Sequence, residues 1–536
     1  MPAAQRVVII GAGPAGLAAA RGLCQAHVPP LVLEKADQVG GLSRTQTYKG
    51  FLFDVGGHRF YTRSDEVRDL WEEFLGEDFL KVRRLSRIYY DGKFFRYPLR
   101  PLDALRQLGV RESTRAVASY LAMKSRPRTR PANLEQWTVN RFGRRLYEIF
   151  FKSYSEKVWG IPCTSIDADW ADLRIGSLSL GKALRNALVR PTGLKTLISE
   201  FHYPRLGPGM VWSRMREWVE AAGGEVRLGC EAVGLEREGA RIRGLSVRAG
   251  KRIERIACEQ VITSMPLADL VLRLDPAPPA EVVQAALNLR YRAFIMVGLI
   301  VERTDLFPDN WIYVHSPDVR VGRIQNFRNW SAAMVPDSSN SSIGMEYFCD
   351  EGDALWSCAD AELIALARRE LAALGLAREA EVVDGFVVRE AAAYPLYVHG
   401  YQREVQTIRR FIDRLENLQT IGRNGMHRYN NQDHSMLAGM LAARNVLGEA
   451  HDLWSVDPDA LESGAAGVSP AHRSGVPVPS GMAREPAMHP RASAPLPGAS
   501  GDALAAVRPA GGAQVEDATR AGEDRELEVP AGSPRG

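Results

Sequence analysis

Gly11, Gly13 and Gly16 stand in the spacing G-x-G-x-x-G directly behind the apolar run Val7-Val8-Ile9-Ile10. A strand, a tight glycine turn and a helix start in that order can hold the pyrophosphate of a dinucleotide. Gly11 gives the turn its tightness, Gly13 lets backbone approach phosphate, Gly16 lets the helix pack on its strand, and the helix N-terminus offers free N–H groups to the anion. A second apolar run, Leu31-Val32-Leu33, ends in Glu34, about 20 residues on, where a carboxylate can bind a ribose hydroxyl pair and disfavours a 2′-phosphate. Pro14 and the following strand–helix pattern separate this arrangement from an ordinary strand–turn–helix and from a cleaved leader. Two further pairs, Gly40-Gly41 and Gly56-Gly57 before His58, imply backbone drawn close to something flat or charged, because a hairpin turn does not need both glycines at each place.

The elements that must position these residues are discontinuous along the chain. Ile88-Tyr89-Tyr90-Asp91-Gly92-Lys93-Phe94-Phe95 reads as a hairpin with a D-G turn between aromatic strands. From about Pro101 to Ser199 the pattern is mostly helical, with apolar residues at three and four spacing from Leu134 through Tyr154. Gly207 to Trp212 opens a helix, and Gly224 to Leu228, Ala232 to Leu235 and Val261 to Pro266 return as short strands to the nucleotide domain. Segments from Ala293 to Val301, Trp311 to Val314, Arg323 to Phe327 and Gly344 to Phe348 predict an antiparallel sheet. Leu418 to Arg423 reads as a last core strand, followed by a glycine turn and a helix over Ser435 to Gly448.

The chain of 536 residues is 45% hydrophobic and 25% charged, enough for two or three domains with a sizeable core. Its six cysteines form no C-x-x-C pair, so neither a zinc cluster nor a disulfide framework is expected, no metal site is assigned, and a reducing cytoplasm is the expected location. The longest apolar runs, such as Phe294 to Val301, fall far short of the roughly 20 residues that span a bilayer, so no transmembrane segment is expected. Beyond Pro458 there is no Phe, Trp, Tyr or Lys, and such a segment cannot bury enough apolar area to offset its ordering entropy. Residues 459–536 are therefore expected to be a disordered tail. The tail holds seven Arg against ten Asp and Glu, leaving the body with about +7, a balance that suits an anionic small-molecule substrate. No basic run interleaved with aromatics points to nucleic acid.

Gly11-x-Gly13-x-x-Gly16, Glu34, Gly40-Gly41, Gly56-Gly57-His58 and Gly422-Arg423 together resemble the flavoproteins with two dinucleotide-binding domains that include amine oxidases and protoporphyrinogen oxidases. The cofactor this implies is FAD. Within them, Asn133-Leu134-Glu135-Gln136, Leu146-Tyr147 and Lys152-Ser153-Tyr154-Ser155-Glu156-Lys157-Val158-Trp159-Gly160 resemble the UDP-galactopyranose mutase family, over a stretch from the N-terminus to about Gly448. The fold implied is α/β: a Rossmann-type FAD domain from 1–82, 202–270 and 415–458, an inserted helical domain at 101–200, and an antiparallel substrate-domain sheet from 84–100 with 284–400. The resemblance assigns Gly11, Gly13 and Gly16 to the pyrophosphate and Glu34 to the adenosine ribose. Lys35, Gly40 and Gly41 are counted with the cofactor-binding residues. Backbone at Val233 is assigned to the adenine, Gly56, Gly57 and His58 to the isoalloxazine, and Arg423 with Asn431 and Gln432 to its pyrimidine side. For substrate it assigns Tyr154 to a uridine, Trp159 beside it, Arg323 to the diphosphate, Arg174 to one of a pair of arginines, and Tyr429 to phosphate.

No catalytic residue is implied beyond the flavin N5, assisted by Arg323, Tyr154, Trp159 and His58. The reaction implied is reduced-flavin chemistry at the anomeric carbon of a nucleotide sugar, interconverting pyranose and furanose rings with an external reductant. Two alternatives stay open at this point: hydride transfer from substrate to flavin with an electron acceptor, as in the oxidases, and a non-catalytic flavin-binding protein. Tyr61 stands where the mutase family has a second histidine and Asn431 where it has an acid. Met345 to Cys349 and Tyr394 to Tyr397 look more like the oxidases.

Overall fold

Four consecutive buried residues, Val7–Ile10, form the central strand of a five-stranded parallel sheet. They lie between Gln260–Thr263 and Leu31–Leu33, with Leu418–Thr420 and Glu225–Arg227 at the edges. A strand without polar alternation fits a sheet covered on both faces, and the side chains show how. Val7 and Ile9 pack with the helices Pro14–Gln25, Gly209–Ala221 and Gln432–Val446, while Val8 and Ile10 pack with residues of the strands Cys230–Glu238 and Arg241–Ala249 and of the helices Leu267–Leu272 and Tyr401–Ile412. This computed structural model describes residues 6–99, 101–125, 130–168, 170 and 200–456, all within one compact unit, Met1–Gly467. The segment 459–536 and Arg174 lie outside the described residues.

The Pro14–Gln25 and Gln432–Val446 helices, more than 400 positions apart in the chain, meet at glycine. A Cβ at Gly439 would come within 2.1 Å of the Ala15 carbonyl oxygen. The small residue lets the two backbones touch and so brings the start of the last helix beside the glycine turn.

The second large sheet has seven strands in the order Val382–Pro395, Tyr291–Val301, Ser341–Cys349, Arg323–Asn326, Trp311–Val314, Ser86–Tyr90 and Lys93–Arg96. Its pairings are antiparallel except for Trp311–Val314 against Ser86–Tyr90. The predicted D-G hairpin is present, with Asp91 and Gly92 at positive φ of 50° and 71°, the twist that a two-residue connection between right-twisted strands needs. The long Val382–Pro395 strand has no counterpart in the sequence reading; it runs through Asp384-Gly385 and a triple alanine, with no alternating apolar pattern. Ala293, Ile295, Val297 and Leu299 face the Asp360–Ala373 helix, whereas Phe294, Met296 and Phe348 face the hairpin formed by Thr45–Tyr48 and Phe51–Asp54. Glu346 shares the second face, two positions from Phe348.

One expectation changes. Residues 422–423 do not continue the Leu418–Thr420 strand but enter a short helical turn, Gly422–Gly425. Gly422 adopts φ +77°, which an extended strand does not allow, and this turns Arg423 out of the sheet. Between Pro101 and Trp159 the expected helices are present, from Pro101–Leu108 to Ser153–Trp159. No described helix is long and apolar enough to cross a membrane.

Asp54, at the end of the hairpin that leads into Gly56 and Gly57, is fully buried and accepts hydrogen bonds from Tyr203 (2.5 Å) and Thr45 (2.8 Å). Burial pushes its carboxyl up to about 7 against those hydrogen bonds. A raised folded-state value contributes stability below the ordinary carboxylate range that is lost as pH rises through about 7, on the order of 4 kcal/mol for a shift of this size. Asp54→Asn removes the ionisation. In urea unfolding the stability gap between variant and wild type should move in the variant's favour from pH 4 to pH 8; a pH-independent gap would contradict it.

Candidate functional site

The first strand hands the chain to the glycine turn as its spacing predicts. Gly11 has φ +99°, and a Cβ on Gly16 would lie 1.8 Å from the Gly11 carbonyl oxygen, so the helix can start only with glycine there. Gly13 is the N-cap and has no side-chain cap, which leaves the first-turn N–H groups for an anion. Gly41, with φ +52°, faces Gly13 backbone to backbone; a Cβ on Gly13 would meet Gly41 Cα at 3.8 Å. Gly40 donates to the Ala12 carbonyl (2.9 Å). The two glycine segments thus form one cradle.

Glu34 is buried beneath this cradle and accepts from the backbone N–H of Ala12 (2.7 Å) and of Ala36 (2.9 Å). Each oxygen retains acceptor capacity for a ribose hydroxyl, and the carboxylate also fixes the turn. Lys35 is exposed. Val233 falls at a register break between Ala232 and Gly234, where a bulge leaves backbone groups free of the ladder for a planar ring. At the other end, Gln432 opens the last helix after Asn431 as N-cap, and its Nε2 and Oε1 are both buried without a partner. A buried amide with neither end satisfied is costly; the edge of a ring with alternating donors and acceptors would satisfy both. The residues present fit a flavin dinucleotide on these observations.

The second sheet supplies the rest. Arg323 and Glu346 are directly opposed on antiparallel strands. Arg323 Nε donates to Glu346 Oε2 at 2.7 Å, its Nη2 donates to the same oxygen, and Gln325 donates to the other. Glu346 is 0% exposed. Burial opposes charge on both groups; Glu346 nevertheless keeps the guanidinium protonated, while burial holds the Glu346 carboxyl above its usual range in spite of Arg323. Arg323 Nη2 also lies 3.5 Å from the Tyr394 hydroxyl.

Arg423 reaches the same tyrosine from the other side. Its guanidinium lies 5.3 Å from the Tyr394 ring and 4.6 Å from the Tyr429 ring, which stack at 5.6 Å and 20°. It donates to the carbonyls of Asn430 (3.0 Å) and Ala393 (3.3 Å) and has no carboxylate partner among the described residues. His58 accompanies this pair of arginines: burial, then Arg423, then Arg323 push its imidazole down to about 4, so it is neutral at ordinary pH. Its Nε2 lies 3.0 Å from the Val55 carbonyl.

Tyr154 and Trp159 leave the Ser153–Trp159 helix about 140° apart, as a separation of five residues requires. Tyr154 stacks on His315 (4.5 Å, 14°) and meets Tyr313 edge-on (5.7 Å). Trp159 is 4% exposed and packs against Trp170, Tyr394, Tyr397 and Tyr429, so it backs the tyrosine wall rather than presenting an open face. Gln325, Tyr313 and His315 were not singled out in the sequence, and Glu346 and Tyr394 were named there only within oxidase-like segments. For Glu346 a signal existed: one carboxylate within nine consecutive buried residues.

Residues 14–407 match the family model described as flavin containing amine oxidoreductase. A putrescine oxidase of Kocuria rosea is 37% identical over 83 residues, 16% of this chain and 17% of that protein. A probable UDP-galactopyranose mutase of Klebsiella pneumoniae is 26% identical over 171 residues, 31% of this chain and 43% of that protein. The matched stretches thus span less than half of either relative's length. Among solved structures, reduced UDP-galactopyranose mutase superposes with a TM-score of 0.75 at 22% identity, covering 85% of this chain and 98% of that one. Wild-type putrescine oxidase bound to putrescine gives 0.56 at 18%, covering 83% and 99%. At these identities the structural likeness is one of fold.

Two outcomes follow from this geometry. Glu34→Ala should lower the fraction of flavin retained through gel filtration, read as the ratio of absorbance near 450 nm to that at 280 nm; full retention would remove Glu34 from the cofactor site. Arg323→Met and Glu346→Leu should each cost about 3–5 kcal/mol of stability by stranding a buried charge or polar partner, and the double variant less than their sum. Additive losses in denaturant unfolding would contradict the pairing.

Proposed function

The chain belongs to the flavin containing amine oxidoreductase family and is an FAD-dependent enzyme, and from that premise we propose that it acts on an anionic, nucleotide-activated sugar, interconverting pyranose and furanose rings. The observation that carries this reading is the charge of the site. Two guanidiniums, Arg323 and Arg423, converge on Tyr394, and one carboxylate, Glu346, lies among them, already committed to Arg323. His58 adds no negative charge, and the buried tyrosines are neutral, with Tyr394 pushed up to about 12. A cationic amine would enter against net positive charge, whereas a diphosphate would be drawn in.

We read Gly11, Gly13, Gly16, Gly40 and Gly41 as the pyrophosphate cradle, Glu34 as the ribose ligand, and Gln432 with Arg423 as the flavin's rim. Residues 1–82, 202–270 and 415–458 form the cofactor domain in this reading, 101–200 the helical domain, and 84–100 with 284–400 the substrate sheet. Bound reduced FAD supplies a nucleophilic ring nitrogen. The protein's own contribution is position and charge. Tyr154, held flat by His315 and braced by Tyr313, offers an aromatic surface for a base. The Arg323 fork keeps its charge at any working pH and would donate to diphosphate oxygens as negative charge grows there. Glu346 fixes the plane of that fork. Neutral His58 neither competes for the anion nor delivers a proton to it. The six cysteines are all unpaired thiols, in keeping with an assignment to the cytoplasm.

The family itself and the segments Met345–Cys349 and Tyr394–Tyr397 favour a second reading, oxidation of a substrate by hydride transfer to the flavin. The test is direct. The holoenzyme is reduced with dithionite without oxygen and incubated with UDP-galactofuranose; ring isomerisation confined to the reduced state is expected, and its absence, with flavin bleaching by an amine or porphyrinogen instead, would overturn the proposal. Arg323→Ala should weaken UDP binding by roughly 2–4 kcal/mol in calorimetry, and unchanged binding would remove Arg323 from the substrate site.

A further inference from the structure

Arg59 and Arg84 are half-buried, and neither makes an ion pair or hydrogen bond among the described residues. Arg59 Nη1 and Arg84 Nε are each buried without a partner. The other described arginines with a buried, unpartnered nitrogen differ. Arg21 and Arg368 also leave one Nε unsatisfied, but they donate elsewhere, to Glu73 and to the Glu379 carbonyl. Arg87, on the next strand, holds Asp309 in a bidentate pair. At Arg84, burial and the neighbouring charge of Arg59 together hold the guanidinium below its usual range.

Two guanidiniums that repel one another, each with an N–H removed from water, cost free energy unless something offsets it. The rings account for part of it. Arg84 lies 5.4 Å from the Tyr97 ring and 5.3 Å from the Trp311 ring, which supports the plane of the cation but accepts nothing from Nε in its own plane. Arg59 has no such ring against it among the described residues. An oxyanion would accept from both groups and cancel their repulsion. Tyr97 is 38% exposed, so the cluster is open to solvent on that side.

The cluster also adjoins the site. Arg59 directly follows His58. From Arg84 the rings run through Tyr97 and Tyr313 (4.9 Å apart) to Tyr154 (5.7 Å from Tyr313). We propose that Arg59 and Arg84 form an oxyanion subsite, beside Tyr97, that takes a phosphate or carboxylate group of the substrate. This rests on the proposed function only in taking the substrate to be anionic, and it holds whether ring isomerisation or hydride transfer follows.

The test uses the FAD-loaded enzyme, with inorganic pyrophosphate and malonate as separate probes in calorimetry and thermal unfolding. Wild type should bind one of them and rise in Tm, and the one bound identifies phosphate or carboxylate as the group. Arg59→Met and Arg84→Met should each lower that affinity at least tenfold. Their Tm without anion should equal or exceed the wild type's, because each removes an uncompensated charge. Arg323→Ala should keep the binding, which separates this subsite from the Arg323 site: loss of UDP-sugar turnover in Arg323→Ala with pyrophosphate binding intact leaves the subsite standing. The proposal is overturned if wild type binds neither probe, if both Met variants bind as wild type does, if binding is lost only in Arg323→Ala, or if the Met variants lose Tm as structural stacking residues would.

Discussion

The buried pair of Arg323 and Glu346 is the contact on which the site depends. It joins two neighbouring strands of the second sheet, and it fixes where a guanidinium fork can stand. A charge pair of this kind contributes little net stability, because the cost of removing both ions from water absorbs most of the attraction. Its value is geometric. With both Arg323 donors on one carboxylate oxygen and Gln325 on the other, the guanidinium can present its remaining edge in one orientation, toward Tyr394.

The remaining pieces of the candidate site come from three separate parts of the chain. The parallel sheet delivers the glycine cradle and, through the glycine contact between its first and last helices, the Asn431–Gln432 corner. The short helical turn after Leu418–Thr420 swings Arg423 onto the stacked rings of Tyr394 and Tyr429. The Ser153–Trp159 helix contributes Tyr154 on one side and a packed tryptophan behind the tyrosines on the other. Positive charge collects where these segments meet, and Glu346, the carboxylate among the described residues that pairs with it, is committed to Arg323 and Gln325. On the proposed reading, that asymmetry favours an anion over an amine, even though the matching family is described as amine oxidoreductases.

The fold was largely legible in the sequence because its signals are local. Val7 to Ile10 reads as a strand by its unbroken apolar run, the turn by glycine spacing, and the hairpin at Asp91-Gly92 by the backbone conformation its residues prefer. Of the candidate site, the position of Glu34 was legible: it lies buried at the end of the second strand and holds the glycine turn through Ala12. What escaped was relational. Nothing near Arg323 announces that Glu346 will stand opposite, since the pairing follows from strand register 23 residues away. Arg423 reads as part of the strand that begins at Leu418, and the positive φ at Gly422 turns it away. Arg59 and Arg84 look like ordinary surface charges until the structure shows that no carboxylate among the described residues answers them.

The central proposal is that the site is built for an anion. It can be examined by titrating the oxidised holoenzyme without oxygen, with UDP in one cuvette and putrescine in another, while following the flavin absorbance. UDP should perturb the flavin bands without bleaching them, with an affinity that falls as salt rises, and putrescine should leave them unchanged. Bleaching by putrescine, with no response to UDP, would contradict it.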